Sequence, residues 1–306
     1  MPKAYVFTRN GGPEAEAQAE LEMPVPGPGE LLVAVRAAGV NPVDWKLRTG
    51  FRRPGSEEPS FPEVFGSEAA GTVVATGPGV EGFEPGQAVF GNPVTGGYAE
   101  YTLMPVAVTA HKPDGLLFTE AAALPVAAAT AYDGVEQLKP APGSTLLVNG
   151  AGGGVGVAAV QIARHLGVRV IGTASAEKKE FVEALGAVHV PSGPGVADRV
   201  RAAAPDGVDA VFDLVGGEAL EEVAGLVADR TRVISAGGKE LVVKLGGAAV
   251  VRARNAAVLD AVARLAVDGA LRACVTRTFP LDRAGEALRA VEGGHTRGKI
   301  VIEVAG

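Results

Sequence analysis

The sequence predicts an α/β protein in which a barrel of short β-strands adjoins a doubly wound parallel sheet. Three observations carry that expectation. Residues 1–110 are punctuated by Gly and Pro at 24–29, 77–79, 85–86 and 96–97, with short β-branched runs at 31–35, 71–75 and 88–90 between them. This is the texture of an all-β barrel. From residue 119 the chain turns Ala-rich, and then apolar runs alternate with helical segments, at 145–149, 169–174, 188–190, 208–214 and 232–235. Strands separated by helices imply right-handed crossovers and a parallel sheet. Finally, short strands return at 275–279 and 299–304, with a helix near 281–291 between them. The parallel-sheet segment is therefore expected to interrupt the barrel: residues 1–120 and 256–306 form one domain, 121–255 the other.

Composition narrows the classes. The 306 residues carry a formal net charge of −7, which offers no basic surface to nucleic acid. One cysteine, Cys274, excludes an intramolecular disulfide framework and fits a reducing compartment. Residues 1–7 look like a first strand and lack the apolar core of a signal peptide. The Ala-rich stretch 116–135 is interrupted by Glu120 and Pro125, which argues against a membrane span. A cytoplasmic protein is expected. Hydrolase and zincin motifs are missing, with no G-x-S-x-G and no H-E-x-x-H. The spacing Gly293…Gly298-Lys299 imitates a phosphate loop, but Ile300 stands where Ser or Thr should bind magnesium and a strand follows.

The chemistry is most legible at residues 146–156. An apolar strand ends at Asn149 and is followed by Gly150, Ala151, Gly152, Gly153, Gly154, Val155 and Gly156, then by an amphipathic segment 157–166 closed by Gly167. A buried strand, a glycine turn and a helix N-terminus in this order form a dinucleotide site, the helix end meeting the pyrophosphate. Gly153 and Gly156 fill the second and third positions of G-x-G-x-x-G; Ala151 takes the first, and the spacing from Gly150 fits equally well. An NAD site carries an acid about 20 residues past the first glycine. Here the next strand ends Thr173-Ala174-Ser175, with Lys178 and Lys179 following. Ser175 and Lys178 can hold a 2′-phosphate, which predicts NADPH; alternatively the lysines form a solvated helix face beside Glu177 and Glu180. Ser235, Ala236 and Gly237 end a strand at the carboxyl edge, where their backbone can hold the carboxamide.

The chain resembles the zinc-free quinone oxidoreductase branch of the medium-chain dehydrogenase/reductase superfamily, over nearly its whole length. The likeness rests on residues 38–44 (AGVNPVD), 66–71 (GSEAAG), 97–101 (GYAEY), 149–156, 213–217 (DLVGG) and 294–299 (GHTRGK). It implies a GroES-like β-barrel beside a Rossmann domain, an active site in the cleft between them, and a homodimer. Zinc-dependent relatives place cysteine and histidine at the positions of Asn41 and Ser67. Asn and Ser are poor zinc ligands, and the chain has one cysteine and four scattered histidines, so no metal is expected. Without a Lewis acid, reduction of an electrophilic quinone or enone remains feasible, whereas alcohol oxidation loses its usual means of deprotonation. Thr130 matches the family position near the nicotinamide, or packs as a small helical residue.

On the barrel side the candidate catalytic residues are Asn41, whose amide can donate to a developing oxyanion, and Asp44, which relays a proton or caps a helical turn. Related enoyl-thioester reductases offer a tyrosine shortly after the Asn-Pro segment; residues 45–54 contain Phe51 and no tyrosine. Phe51 leaves an apolar wall for a flat acceptor, while Arg52 and Arg53 meet an acidic substrate or solvate a loop. Three functions follow: an NADPH-dependent reductase of a quinone or enone, an enoyl-thioester or polyketide-tailoring reductase, and a non-catalytic NADPH-binding protein.

Overall fold

The computed structural model describes residues 1–52, 60–294 and 296–305. Along the chain the elements are β1 (Lys3–Phe7), β2 (Glu16–Glu20), β3 (Glu30–Val40), α1 (Pro42–Arg48), β4 (Glu63–Val64), β5 (Ala69–Thr76), β6 (Ala88–Gly91), β7 (Tyr101–Pro105), β8 (Thr109–His111) and α2 (Phe118–Ala121). After a π-helical turn, Leu124–Ala128, come α3 (Ala129–Leu138), β9 (Thr145–Asn149), α4 (Gly154–His165), β10 (Arg169–Ala174), α5 (Lys179–Ala184), β11 (Val188–Pro191) and α6 (Val196–Ala203). The remainder are β12 (Ala210–Asp213), α7 (Gly217–Ala224), β13 (Val233–Ser235), α8 (Lys239–Lys244), β14 (Ala248–Ala249), α9 (Ala256–Val267), β15 (Val275–Pro280), α10 (Ala284–Glu292) and β16 (Lys299–Glu303).

These elements fall into two compact units, 1–126 with 254–267 and 275–306, and 127–253 with 268–274. The sequence pattern places the first break at 120/121 and gives 268–274 to the barrel. The break falls inside the π turn, after Val126. The segment 268–274 joins the second unit because Gln161 of α4 binds both backbone groups of Arg272.

In the first unit β1 pairs antiparallel with β2 and β4, and a larger sheet runs β15-β16-β3-β5-β6-β8 with β7 also on β3. Register shifts in β3 at Leu32/Val33 and Val35/Ala37 bend this sheet, as β-bulges do. Leu31, Val33 and Val35 alternate into a core shared with Phe65, Tyr98 and Leu288 of α10.

The second unit is a parallel sheet in the order β11-β10-β9-β12-β13-β14. Counted within the unit this is 3-2-1-4-5-6, the doubly wound order, with its switch point between β9 and β12. All five residues of β9 are buried, as expected for a strand covered on both faces. Leu147, Ile171, Val211 and Val233 from four adjacent strands pack against Val200, Leu220 and Val223 of α6 and α7. Each such side chain contributes roughly 1.5–3 kcal/mol by leaving water. Among the described residues no helix is long and apolar enough to cross a membrane.

Candidate functional site

The glycine turn lies at the carboxyl end of β9 and is tied to the neighbouring strand. Gly150 adopts φ 96°, which favours glycine. Its N–H donates to the Thr173 carbonyl at 3.2 Å, and that of Ala151 donates to the same oxygen at 2.8 Å. The Thr173 hydroxyl donates to Asn149 Oδ1 at 2.6 Å, so the turn and the strand end form one hydrogen-bonded unit. A Cβ on Gly156 would lie 2.2 Å from the Gly150 carbonyl oxygen, so glycine is required for α4 to rest on the turn. On Gly153 the nearest atom to an added Cβ is 3.9 Å away, so no protein contact demands glycine there. Gly153 thus borders open space at a helix N-terminus, the cradle a pyrophosphate needs, and the residues fit a dinucleotide. Helix α4 starts at Gly154, earlier than the 157 read from the apolar pattern, because Gly154 and Val155 carry no amphipathic signal.

Lys178 is buried, and its stem crosses the turn: a Cβ on Gly152 would fall 2.6 Å from Lys178 Cδ. Lys179, by contrast, is exposed and pairs with Glu183 at 4.0 Å. The two lysines therefore part company, and the solvated-face reading describes Lys179. The Ser175 hydroxyl donates to Glu177 Oε1 at 3.2 Å, so a carboxylate stands just beyond the tip of β10.

A knot missed by the sequence reading joins the ends of three strands. Asp213 accepts from Asn149 Nδ2 at 2.8 Å, from the Gly216 N–H at 3.0 Å and from the Ser235 hydroxyl. Ser235 in turn accepts from the Gly238 N–H at 2.8 Å, and Ala236 N–H donates to the Asp213 carbonyl at 2.9 Å. A Cβ on Gly237 would meet Leu214 and Val215 backbone carbons at 2.7 Å, so the 235–237 segment lies flat on the end of β12. The available signal was a polar residue at or next to the carboxyl end of each buried strand: Asn149, Thr173, Asp213, Ser235. Thr130 is the second residue of α3. Arg252 donates to its hydroxyl and, through Nε, to Asp133 at 2.9 Å.

In the first unit Asn41 is buried with both ends of its amide engaged. Its Oδ1 accepts from Lys299 Nζ at 2.6 Å, and its Nδ2 donates to Glu68 Oε1 at 2.8 Å. An ammonium on one side and a carboxylate on the other fix the orientation of the amide. One N–H of the amide is committed to Glu68. Lys299 Nζ also donates to Glu68 Oε1 at 2.7 Å and to the Val40 carbonyl at 3.1 Å. Glu68 Oε2 accepts the Val126 N–H at 2.6 Å, in the π turn after Pro125. The sequence assigns no role to Glu68 or Lys299; the one local signal is a charge set beside the apolar runs Ala69-Ala70 and Ile300-Val301-Ile302.

Asp44 caps α1, its Oδ2 accepting the Asn41 N–H at 2.8 Å and the Tyr98 hydroxyl at 2.9 Å. Burial, only partly offset by these hydrogen bonds, raises its carboxyl to about 6, and burial beside Asp44 raises the Tyr98 phenol well above its ordinary value. Asp44 Oδ1 and Ser67 Oγ are buried with no hydrogen-bond partner among the described residues. Phe51 is exposed, and the Arg52 guanidinium is used on the Leu47 and Phe51 carbonyls, which is the loop reading. Arg53 lies outside the described residues, as does His295. At the Asn41 position a zinc ion would meet an amide oxygen already bound to an ammonium, so these residues do not suit it.

Residues 27–114 match the family described as alcohol dehydrogenase GroES-like domain, and 185–302 the family described as zinc-binding dehydrogenase. The chain belongs to the medium-chain dehydrogenase/reductase superfamily, as a quinone oxidoreductase-like member. It is 32% identical over 323 residues to an NADPH-dependent alkenal/one oxidoreductase of Arabidopsis thaliana, covering 98% of this chain and 79% of that one. It is 34% identical over 292 residues to the polyketide synthase GfsB of Streptomyces halstedii, covering 90% of this chain but about 5% of that synthase. The solved quinone oxidoreductase of Coxiella burnetii superposes with a TM-score of 0.88 at 28% identity, covering 99% of both chains.

Proposed function

We propose that the chain is an NADPH-dependent, metal-free reductase of a quinone or an activated enone. The observation that carries this reading is the glycine turn with the Lys178 stem laid across Gly152, which sets a cation beside the dinucleotide cradle. The turn Gly150 to Gly156 would hold the pyrophosphate, Ser175 and Lys178 the 2′-phosphate, and Thr130 and the 235–237 segment the nicotinamide end. NADPH supplies a hydride when bound. The amide of Asn41 keeps a second N–H beyond the one given to Glu68, and we assign it to the acceptor oxygen as charge develops there. Asp44, protonated at mildly acid pH, accepts the Asn41 backbone N–H and serves as a proton store. Neither Asn41 nor Ser67 offers a thiolate or imidazole, which supports a reaction without zinc. A homodimer is expected from the family resemblance.

The test is oxidation of NADPH in the presence of a panel of quinones and enones. Turnover with either class supports the reading; none with either, from folded protein, removes it. The likeness to GfsB favours a second reading, reduction of an enoyl thioester. It would be preferred if acyl thioesters turn over at concentrations well below those needed for simple quinones.

A further inference from the structure

At the end of α4 opposite the glycine turn, about 18 Å along the helix axis, is a cavity of about 570 Å³. That volume is within the range of small-molecule sites. It is built wholly within the second unit. One wall is apolar, from Phe181 and Leu185. The other carries Arg164, His165 and Arg272, and no carboxylate is among the lining residues. In a chain of net charge −7 two guanidiniums here have no carboxylate beside them in the lining. A helix C-terminus favours cations at Arg164 and His165, but Arg272 is not on that helix. Neither guanidinium has an ion-pair partner among the described residues.

The Arg164 guanidinium and the backbone that carries Arg272 are held in place. Arg164 Nη1 donates to the Leu185 carbonyl at 3.1 Å, and its guanidinium covers Gly186, where a Cβ would lie 1.7 Å from Nη1. Gln161 clasps the segment carrying Arg272, its Nε2 donating to the Arg272 carbonyl at 3.0 Å and its Oε1 accepting the Arg272 N–H at 2.9 Å. Cys274 completes the lining in the left-handed region, φ 48°. One fixed guanidinium, a second on an anchored backbone and an imidazole, beside apolar side chains, select a ligand with an anionic head and an apolar tail.

We propose that this cavity is a second ligand site, separate from the dinucleotide turn, for a single-chain anionic amphiphile: a carboxylate or phosphate head on an alkyl chain. Equilibrium dialysis of octanoate and of octyl phosphate against the whole protein tests it. One saturable site per chain is expected, with Kd below about 1 mM, and the tighter of the two identifies the head group. Octanol and inorganic phosphate should bind at least about tenfold more weakly, because each lacks half of the recognition. Saturating NADPH should leave the binding unchanged. Arg272→Glu, at an exposed side chain that leaves the fold intact, should weaken it by about tenfold or more. Bound ligand should also slow alkylation of Cys274, the sole cysteine, by N-ethylmaleimide. Absence of saturable binding by both amphiphiles, equal binding by Arg272→Glu, or displacement by NADPH would each overturn the proposal.

Discussion

Lys299 Nζ and Glu68 Oε1 lie 2.7 Å apart, with both side chains almost wholly buried. The pair spans β16 and the residue before β5, and Asn41 bridges it. All three Lys299 donors are used, on Val40, Asn41 and Glu68. Removing one partner of a buried pair leaves the other as an uncompensated charge, which costs about 3–5 kcal/mol. Lys299→Met should therefore lower unfolding free energy by that amount in urea titration. Lys299→Met with Glu68→Gln should lose less than the sum of the single losses, since no lone charge remains. Additive losses would show that the pair is not coupled.

The Asp44 carboxyl makes a prediction with a definite sign. Its folded value of about 6 lies above the ordinary 3.8, with burial the leading cause. The folded protein then binds this proton more tightly than the unfolded chain. The stability this group confers is full below about pH 4 and is lost as pH rises through about 6. Asp44→Asn abolishes that titration while still offering an oxygen to the Asn41 N–H. Relative to the wild type, the variant should gain about 1–3 kcal/mol between pH 4.5 and 7.5. Parallel stability profiles for the two proteins would contradict the burial account.

Two glycines of the turn should respond oppositely to alanine. At Gly156 a Cβ meets backbone at 2.2 and 2.6 Å, so Gly156→Ala should destabilise the second unit by about 1–3 kcal/mol. At Gly153 the nearest atom is 3.9 Å away, so Gly153→Ala should keep its melting temperature. Its affinity for NADPH should nevertheless fall about tenfold or more, because the methyl group occupies the pyrophosphate approach. Thermal unfolding and fluorescence titration of each variant separate the two effects, and unchanged NADPH affinity in Gly153→Ala would count against the cradle.

Lys178→Ala should weaken NADPH by about tenfold or more while changing NADH little, since a charge-assisted bond to the 2′-phosphate is worth roughly 1.5–3 kcal/mol. Equal effects on both cofactors would defeat that assignment. They would instead make the lysine stem over Gly152 a packing feature, and the Glu177 carboxylate beside Ser175 would then favour NADH.

Much of the architecture was legible in the chain because strands and glycines leave local signatures. The run 169–174 coincides with β10, and the turn between β9 and α4 follows from a buried strand meeting clustered glycines. Short or edge elements were not legible: β2, Glu16–Glu20, alternates Glu and Gln with small alanines and carries too little apolar signal. Among candidate site residues, Ser175, Lys178 and the glycine turn could be proposed from the chain because the roles proposed for them depend on local spacing. Glu68 and Lys299 could not be paired, since nothing local connects residues 231 positions apart.

By itself, then, the sequence determined a doubly wound sheet with a dinucleotide turn, and a strand-rich segment lacking zinc-type donors at Asn41 and Ser67. Both depend on residue type and short-range periodicity. The tertiary structure alone decided that the Asn41 amide is clamped between Lys299 and Glu68, that Asp44 is buried against Tyr98, and that Lys178 lies across the turn while Lys179 faces water. Those outcomes follow from desolvation and from contacts between distant segments, which become defined once the chain has closed around them.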